Sequence, residues 1–505
     1  MYKSYYQFMN EISSDEIYEG LLAHGMFSEK LPPIFSSEQF FQFCNKQSKS
    51  FDQKPHRYIY YENMRNVNIP RPLAIPQPIA YLRQCEIIRD NWTQIKEYFK
   101  QKTKARSYKV SRIHIRKMHN SQALFQMNYD NWRVDGNPEL ILSMGKRYLV
   151  KADISTCFQS IYTHALVWAL VGKEYAKQSK DSAEGKKAWY NQIDKKTSNT
   201  TNSETHGLLI GPHVSNLLSE IVLTAVDNEL NKYCYVRAID DYTCYTETYE
   251  EAQCFLNELG AALRKYDLSL NHKKTTIAEL PIAATEQWTR KLNILKLDTP
   301  YGKTDFILAR AYLDCAIELM HSNGNNAAIL NYAIKTLLGK ELTDNAKEYV
   351  ARTVLSYALI YPYLVTILDD YVFSVCCKNC DSYSCIKQFS IQLFKEGIVK
   401  HNYEQSAYAL FFAIKYNFEL LPIDASVIIK TEDCILLLST YLYAKKYSIT
   451  VVLDSLNQYA LSIKDNVETF DEYWLFLYEI LDVEELDKDW KRLKKAGISF
   501  IKKEL

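Results

Sequence analysis

Glycine and proline are scarce, at 14 and 13 of 505 residues. From residue 301 onward only Pro362, Pro422 and five glycines interrupt the chain. That excludes a second half built of short strands and turns, and leaves long stretches free to continue as helix. Net charge is nearly absent as well, at +1, so the chain is no polycation and any phosphate-binding surface has to be a local patch. No apolar run approaches the roughly 20 residues needed to cross a bilayer. The longest candidate, from Tyr357 to Val375, is broken by Pro362, Asp369 and Asp370, so no membrane span is expected. Met1 to Asn10 has neither a basic start nor an apolar stretch, and the 12 cysteines are scattered. A reducing, cytoplasmic location is the expectation.

What is present is enough to fold throughout: 47% apolar and 24% charged residues, over a length that asks for about three domains. Tyrosine is abundant, at 39 residues, and a phenol can act as a nucleophile as well as fill a core.

Residues 1–60 read as short helices, with Ser13 to Glu16 and Ser36 to Gln39 spaced as capping boxes. Pro70-Arg71-Pro72 and Pro76-Gln77-Pro78 follow, where the backbone must be extended or turning, and a helix is predicted over Tyr81 to Lys100. Between Lys100 and Lys117 positive charge concentrates. There Arg112, His114 and Arg116 alternate with Ile113 and Ile115, the period of a strand with one cationic face that could hold a triphosphate or simply face solvent. Residues 61–300 are taken as one unit, within which the chain from Tyr148 to Thr276 alternates strand-like and helix-like patterns, interrupted by a polar loop from Lys177 to Thr205. Residues 301–505 repeat apolar positions at helical spacing, as in Ile307, Ala311, Cys315 and Leu319. The expected fold class is α+β, ending in an all-α, solenoid-like (HEAT-like) domain.

Two acidic elements carry the chemistry. In Tyr235-Val-Arg-Ala-Ile-Asp240-Asp241-Tyr-Thr-Cys-Tyr245, β-rich runs flank two adjacent acids, which predicts a tight hairpin with the acids at its tip. Unit charges about 4 Å apart repel by roughly 4 kcal/mol at an effective dielectric of 20, and a divalent cation would relieve that. Asp240 is assigned the direct role and Asp241 a supporting one, since successive strand side chains face opposite ways. A bare Asp-Asp pair means little, as Asp369-Asp370 shows. The second element, Tyr148-Leu-Val-Lys-Ala-Asp153, is a strand ending in an acid. Brought together, Asp153 and Asp240 suit Mg²⁺, with Mn²⁺ as the alternative ion, and a two-ion phosphoryl transfer.

These segments resemble the palm of reverse transcriptases over about 70–280. Asp153 to Phe158 resembles the first palm motif, Thr205-His206-Gly207 through Ser215-Asn216 the second, Asp240-Asp241 the third, and Leu268 to Thr275 the fourth. The resemblance implies metal ligation by Asp153, the Ile154 carbonyl, Asp240 and Asp241, and deoxynucleoside triphosphates as substrates. It implies nucleotide contacts from Phe158, Arg112, Arg116, His206, Gly207 and Lys274, with Gly207 and Ser215 flooring the site. Phe158 falls at the steric gate against a ribose 2′-hydroxyl, unless it is a core residue. Lys273 or Lys274 would protonate pyrophosphate.

More narrowly, Leu31-Pro-Pro-Ile-Phe-Ser-Ser37, Ser160-Ile-Tyr-Thr-His164 and Trp168-Ala-Leu-Val-Gly-Lys173 resemble the abortive-infection reverse transcriptases of bacteria (the AbiK, AbiA and Abi-P2 group), most nearly the P2-prophage type. That resemblance implies antiphage defence, a homo-oligomer (trimer or hexamer), and template-independent DNA synthesis primed from a tyrosine hydroxyl. The single-stranded product would stay attached to that tyrosine, which the sequence does not single out. Two departures from the wider family agree: Ala238 replaces the aromatic that grips a primer end, and His206 replaces a glutamine. No RNase H constellation is present, and the helical half stands where a thumb is expected. The alternatives are RNA-templated synthesis, and an inactive palm binding nucleic acid through the basic stretch from Lys100 to Lys117. Cys376-Cys377-Lys-Asn-Cys380 through Cys385 has one Cys-x-x-Cys spacing and no partner pair, so no structural zinc is expected.

Overall fold

The computed structural model describes residues 3–46, 51–112, 114–115, 125–126, 136, 138–283, 285–298, 302–377 and 380–503. It is an α+β molecule whose helical C-terminal region follows the sheet-bearing part. No described helix is long and apolar enough to cross a membrane.

Short helices open the chain. Ser13 forms the expected capping box with Glu16 at the head of Ser14–Leu22. Ser36 does not form one with Gln39: its hydroxyl accepts from the Glu38 amide at 3.2 Å, and the Gln39 side chain accepts instead from the Ser499 amide. The C-terminal segment has taken that group. Lys502 N donates to Ile34 O at 2.9 Å and Ser36 N to Phe500 O at 2.9 Å, and the buried Phe500 ring packs on Phe40 and Trp474.

Strands β1 (Tyr58–Met64) and β2 (Pro70–Pro76) form an antiparallel hairpin in which Tyr60 faces Ala74. Prolines are tolerated in β2 because a two-stranded sheet leaves ladder positions unneeded. The helical region grips this hairpin. Asn66 O accepts from Ala327 N at 2.7 Å, Asn68 Nδ2 donates to Ile360 O at 2.9 Å, and the Glu404 carboxylate accepts from Asn63 Nδ2 at 2.9 Å and Met64 N at 2.8 Å.

Burial pushes the Glu404 carboxyl up to about 7, opposed by those two hydrogen bonds and by Lys30. An unfolded glutamate titrates near 4.3. Between about pH 4.3 and 7 the folded chain therefore holds a proton that the unfolded chain releases, and stability falls as pH rises through this window. Glu404→Gln keeps both hydrogen bonds if the Asn63 amide turns over. Its melting temperature should exceed the parent's by more at pH 8 than at pH 5, and an equal difference at both pH values would refute the assignment.

Beyond the hairpin, the helix predicted as continuous is two, Pro78–Asp90 and Trp92–Thr103. The break is at Asn91, whose side chain donates to Ile87 O. Strands β3 (His114–Ile115) and β4 (Phe125–Gln126) pair antiparallel. Strands β5 (Tyr148–Asp153), β6 (Cys234–Ala238), β7 (Asp241–Thr246) and β8 (Thr276–Glu279) make an antiparallel sheet in the order β6-β7-β5-β8. Residues Val110–Arg112 run along its edge, with Arg237 N donating to Val110 O and Arg112 N to Arg237 O. Val150, Tyr235, Tyr242 and Cys244 of the sheet share a core with Phe255 and Leu259 of the helix Tyr249–Arg264 and with Ile221 and Val222 of the helix His213–Glu229.

One further expectation fails. The stretch from Lys177 to Thr205 is largely helical rather than a polar loop: Ala183–Lys187 follows a Ser182 cap, and Trp189–Ser198 buries Ile193 and Thr197. That inward face is too narrow to stand out among the lysines around it. In the helix Phe306–Ser322, Ile307 is exposed, and the buried row is Ala309, Tyr312, Leu313, Ala316, Leu319 and Met320. The helical spacing of 307, 311, 315 and 319 holds: Leu319 is buried and Cys315 packs half-buried against the core, while Ile307 and Ala311 face solvent.

Candidate active site

The site is assembled where three backbone segments meet. Register places Asp153, the last residue of β5, opposite Asp241, the first of β7. Ala238 pairs with Asp241, so Ile239 and Asp240 form a two-residue turn between β6 and β7. Ile239 adopts φ +59°, a conformation that a β-branched residue rarely takes and that costs on the order of 1–3 kcal/mol. Ile154 N donates to Asp240 O at 3.2 Å, tying the turn to the end of β5. On the other side Ser155 N donates to Ser269 O at 2.9 Å and Asn271 N to Asp153 O at 2.8 Å. The tight turn after Asn271 then brings the Lys274 ammonium to 2.8 Å from Asp153 Oδ2.

Among the described residues, Lys274 is the cation that pairs with these acids. Burial pushes the Asp241 carboxyl up to about 6, with Asp240 and Asp153 adding to the effect and Lys274 opposing it. Burial also raises Asp240, as does Asp153, against Lys274 and Arg71. Asp369-Asp370 provides the contrast. It lies in a π-helical turn, Leu368–Phe373, where Asp369 is met by Lys415 Nζ at 2.6 Å and the Tyr416 hydroxyl at 2.7 Å. The acids at 153, 240 and 241 share one lysine in contact, and Arg71 acts on Asp240 only through space. Mg²⁺ usually takes one or two carboxylates and leaves its remaining positions to water and phosphate, and the Asp153, Asp240 and Asp241 carboxylates are the kind of oxygen donors it takes. Among the described residues no group of three or more His, Cys, Asp or Glu side chains is placed to hold a metal ion, so Asp153 and Asp240 would need water and phosphate oxygens to complete a coordination shell.

Around the acids, Phe158 sits half-buried on the short helix Cys157–Ser160. Its carbonyl accepts from Leu208 N at 2.7 Å, and Ile161 O from Gly207 N at 3.1 Å. Gly207 has φ +93°, and a Cβ there would lie 3.2 Å from Gln159 O. Gly211 has φ +128°, and its Cβ would come within 2.9 Å of Ala74 O. Both glycines let one loop lie flat between β2 and the 158–161 turn. His206 is exposed, with its ring 6.2 Å from that of Tyr162, and Ser215 is buried at the start of the helix His213–Glu229. Arg112 donates through Nη2 to Gly136 O at 2.8 Å. Arg116 and the side chain of His114 lie outside the described residues, as does the side chain of Cys380. Burial pushes the Cys376 and Cys377 thiols up to about 12 and about 11.

A family model described as reverse transcriptase (RNA-dependent DNA polymerase) matches residues 93–297. The chain carries a reverse transcriptase domain. All three aspartates, Phe158, Gly207 and Lys274 lie inside it. Among solved structures the chain is similar to apo telomerase from Candida tropicalis, at 10% identity and a TM-score of 0.30, over 78% of this chain and 69% of that one. It is also similar to the same telomerase truncated from its C-terminal domain, at 12% identity and a TM-score of 0.27, over 49% and 55%. No curated protein matches the chain.

Two features escaped the sequence. Arg71, on β2 ahead of the matched reverse transcriptase domain, is exposed, interacts with Asp240 through space and makes no ion pair among the described residues. The only local sign was a cation between two prolines. Arg237 is fully buried, with Nη1 2.8 Å from Glu220 Oε1 and both Nε and Nη2 within 2.9 Å of Asp227 Oδ2. Deleting one member of such a buried network costs roughly 3–5 kcal/mol. Glu220 and Asp227, seven residues apart on an otherwise apolar helix face, were the missed signal.

Proposed function

We propose that the chain is a template-independent, protein-primed DNA polymerase of abortive-infection defence, using Asp153, Asp240 and Asp241 as its catalytic acids. The observation that carries this is the meeting of the three acids and Lys274 inside a reverse transcriptase domain.

When bound, divalent ions would supply charge neutralisation at the attacking hydroxyl and the leaving pyrophosphate. Asp153, Asp240 and the Ile154 carbonyl would hold them, with Asp241 beside. In the reaction a tyrosine hydroxyl, and later a 3′-hydroxyl, loses its proton to water as its oxygen bonds to the α-phosphorus, and the bond from that phosphorus to the bridging oxygen breaks. Lys274, released from Asp153, gives its proton to the departing pyrophosphate. Arg71 holds the triphosphate, and Phe158 packs where a 2′-hydroxyl would sit. Arg71→Ala is expected to raise the half-saturating deoxynucleotide concentration about 10-fold or more with a smaller change in kcat, since it removes binding more than chemistry. Steady-state kinetics at fixed Mg²⁺ checks this.

Independence from a template is supported by Ala238 and His206, and by the helical region that follows the palm in the chain, where a thumb is expected. The defensive role and the homo-oligomer rest on the resemblance of 31–37, 160–164 and 168–173. The test is incubation of the purified protein with Mg²⁺ and each labelled deoxynucleoside triphosphate, without primer or template. Label should survive denaturation on the wild-type protein and vanish with Asp240→Ala. Product that needs an annealed RNA template would favour conventional reverse transcription, and tight nucleic-acid binding without turnover an inactive scaffold.

A further inference from the structure

The two-residue turn bearing Asp240 has no glycine, yet Ile239 is held at φ +59°. Something outside the hairpin must favour that geometry. Ile239 O accepts a 2.8 Å hydrogen bond from Arg237 Nη1, the same nitrogen that reaches Glu220 Oε1 at 2.8 Å. The rest of the guanidinium is fixed by Asp227 Oδ2, at 2.9 Å from Nε and 2.8 Å from Nη2. A planar, five-donor fork spends its hydrogen bonds on two anchors and one carbonyl, an arrangement that a point-charge ammonium cannot copy.

Both anchors lie on the helix His213–Glu229 and are themselves held. The Tyr5 hydroxyl donates to Glu220 Oε2 at 3.1 Å, and the Tyr235 hydroxyl to Asp227 Oδ1 at 3.1 Å. Arg237 and Glu220 are fully buried, and Asp227 nearly so. A continuous set of hydrogen bonds therefore runs from the first helix of the chain, through the helix His213–Glu229, to the peptide that precedes Asp240.

We infer that Arg237 is a positioning residue for the candidate active site: by holding the Ile239 carbonyl against the Glu220 and Asp227 anchors, it fixes the turn that presents Asp240 and Asp241 to Asp153. Tyr5 is the outermost member of the set, which makes the N-terminal helix part of the active-site support. The guanidinium touches neither substrate nor reacting atoms. Its effect on catalysis rests on the proposed polymerase function, but its effect on the turn does not.

The test is hydrogen–deuterium exchange of the full-length protein, comparing the parent with Arg237→Lys, Glu220→Gln and Asp240→Asn. In Arg237→Lys, amides of 238–243 are expected to exchange about 10-fold faster or more, with those of β5 at parental rates, because the lysine amine cannot bridge both acids and the carbonyl. Glu220→Gln should give the same local pattern more weakly. It carries the test alone if Arg237→Lys does not fold. Asp240→Asn leaves the network intact and should leave exchange at parental rates, even though it removes activity. In the incorporation assay Arg237→Lys should lower kcat about 10-fold with the half-saturating nucleotide concentration within about 3-fold of the parent's. Unchanged exchange at 238–243, or faster exchange spread evenly over the sheet, overturns the inference, the second because it marks a general stability role. Exchange as expected with an inactive parent protein would uphold it while refuting the polymerase reading.

Discussion

Asp240→Asn is expected to lower nucleotide transfer by about 10³-fold or more, with a melting temperature equal to or above the parent's. The two effects have one cause. Burial and the neighbouring Asp153 hold the Asp240 carboxyl above its usual range, so the ionised form is costly to the empty fold and useful only when a cation arrives. A neutral amide of the same shape removes the cost and the ligand together. Acid clusters that weaken the fold at rest are an ordinary mark of a binding site for charge. Single-turnover incorporation and thermal denaturation on the same preparation decide the matter, and a variant that loses stability along with activity would show that the acid serves the fold instead.

Phe158→Ala is expected to cut the preference for deoxy- over ribonucleotides by about 10²-fold, with incorporation of deoxynucleotides largely kept. Phe158 lies on the short helix Cys157–Ser160 just after the strand that ends in Asp153, and its own carbonyl accepts from Leu208 N, beside the glycine that lets the 205–212 loop lie close. A ring so placed has little freedom to yield to an extra hydroxyl. Competition between the two nucleotide types, read as a ratio of kcat/KM, is the measurement. An unchanged ratio would return Phe158 to the role of a core aromatic, the other possibility that its sequence position left open.

Local chemistry made the acids readable. A β-rich run ending in Asp153, and two β-rich runs around Asp240-Asp241, each announce their own backbone, and short-range geometry puts the acids at the ends. The register that sets Asp153 opposite Asp241, rather than leaving Asp241 as a bystander to Asp240, depends on which residues of β5 and β7 pair, and no single segment contains that information. Arg71 was hidden for the same reason: its relation to Asp240 spans the whole distance from the β1–β2 hairpin to the palm. The Arg237 set joins residues 5, 220, 227 and 237, and only the folded chain shows that two acids on an apolar helix share one arginine on a strand. Where a pattern was local but mixed, as with the lysine-rich helix Trp189–Ser198, polarity outweighed the buried face.

The central claim, that Asp153, Asp240 and Asp241 form a divalent-cation site for nucleotidyl transfer, is tested most directly by titrating Mn²⁺ into the purified protein with a non-hydrolysable deoxynucleoside triphosphate analogue, counting bound ions by electron paramagnetic resonance. The expected result is about two ions per chain with the analogue present, falling to weak or no binding in Asp153→Asn and Asp240→Asn. Equal binding by these variants and the parent, or none by the parent, would contradict it.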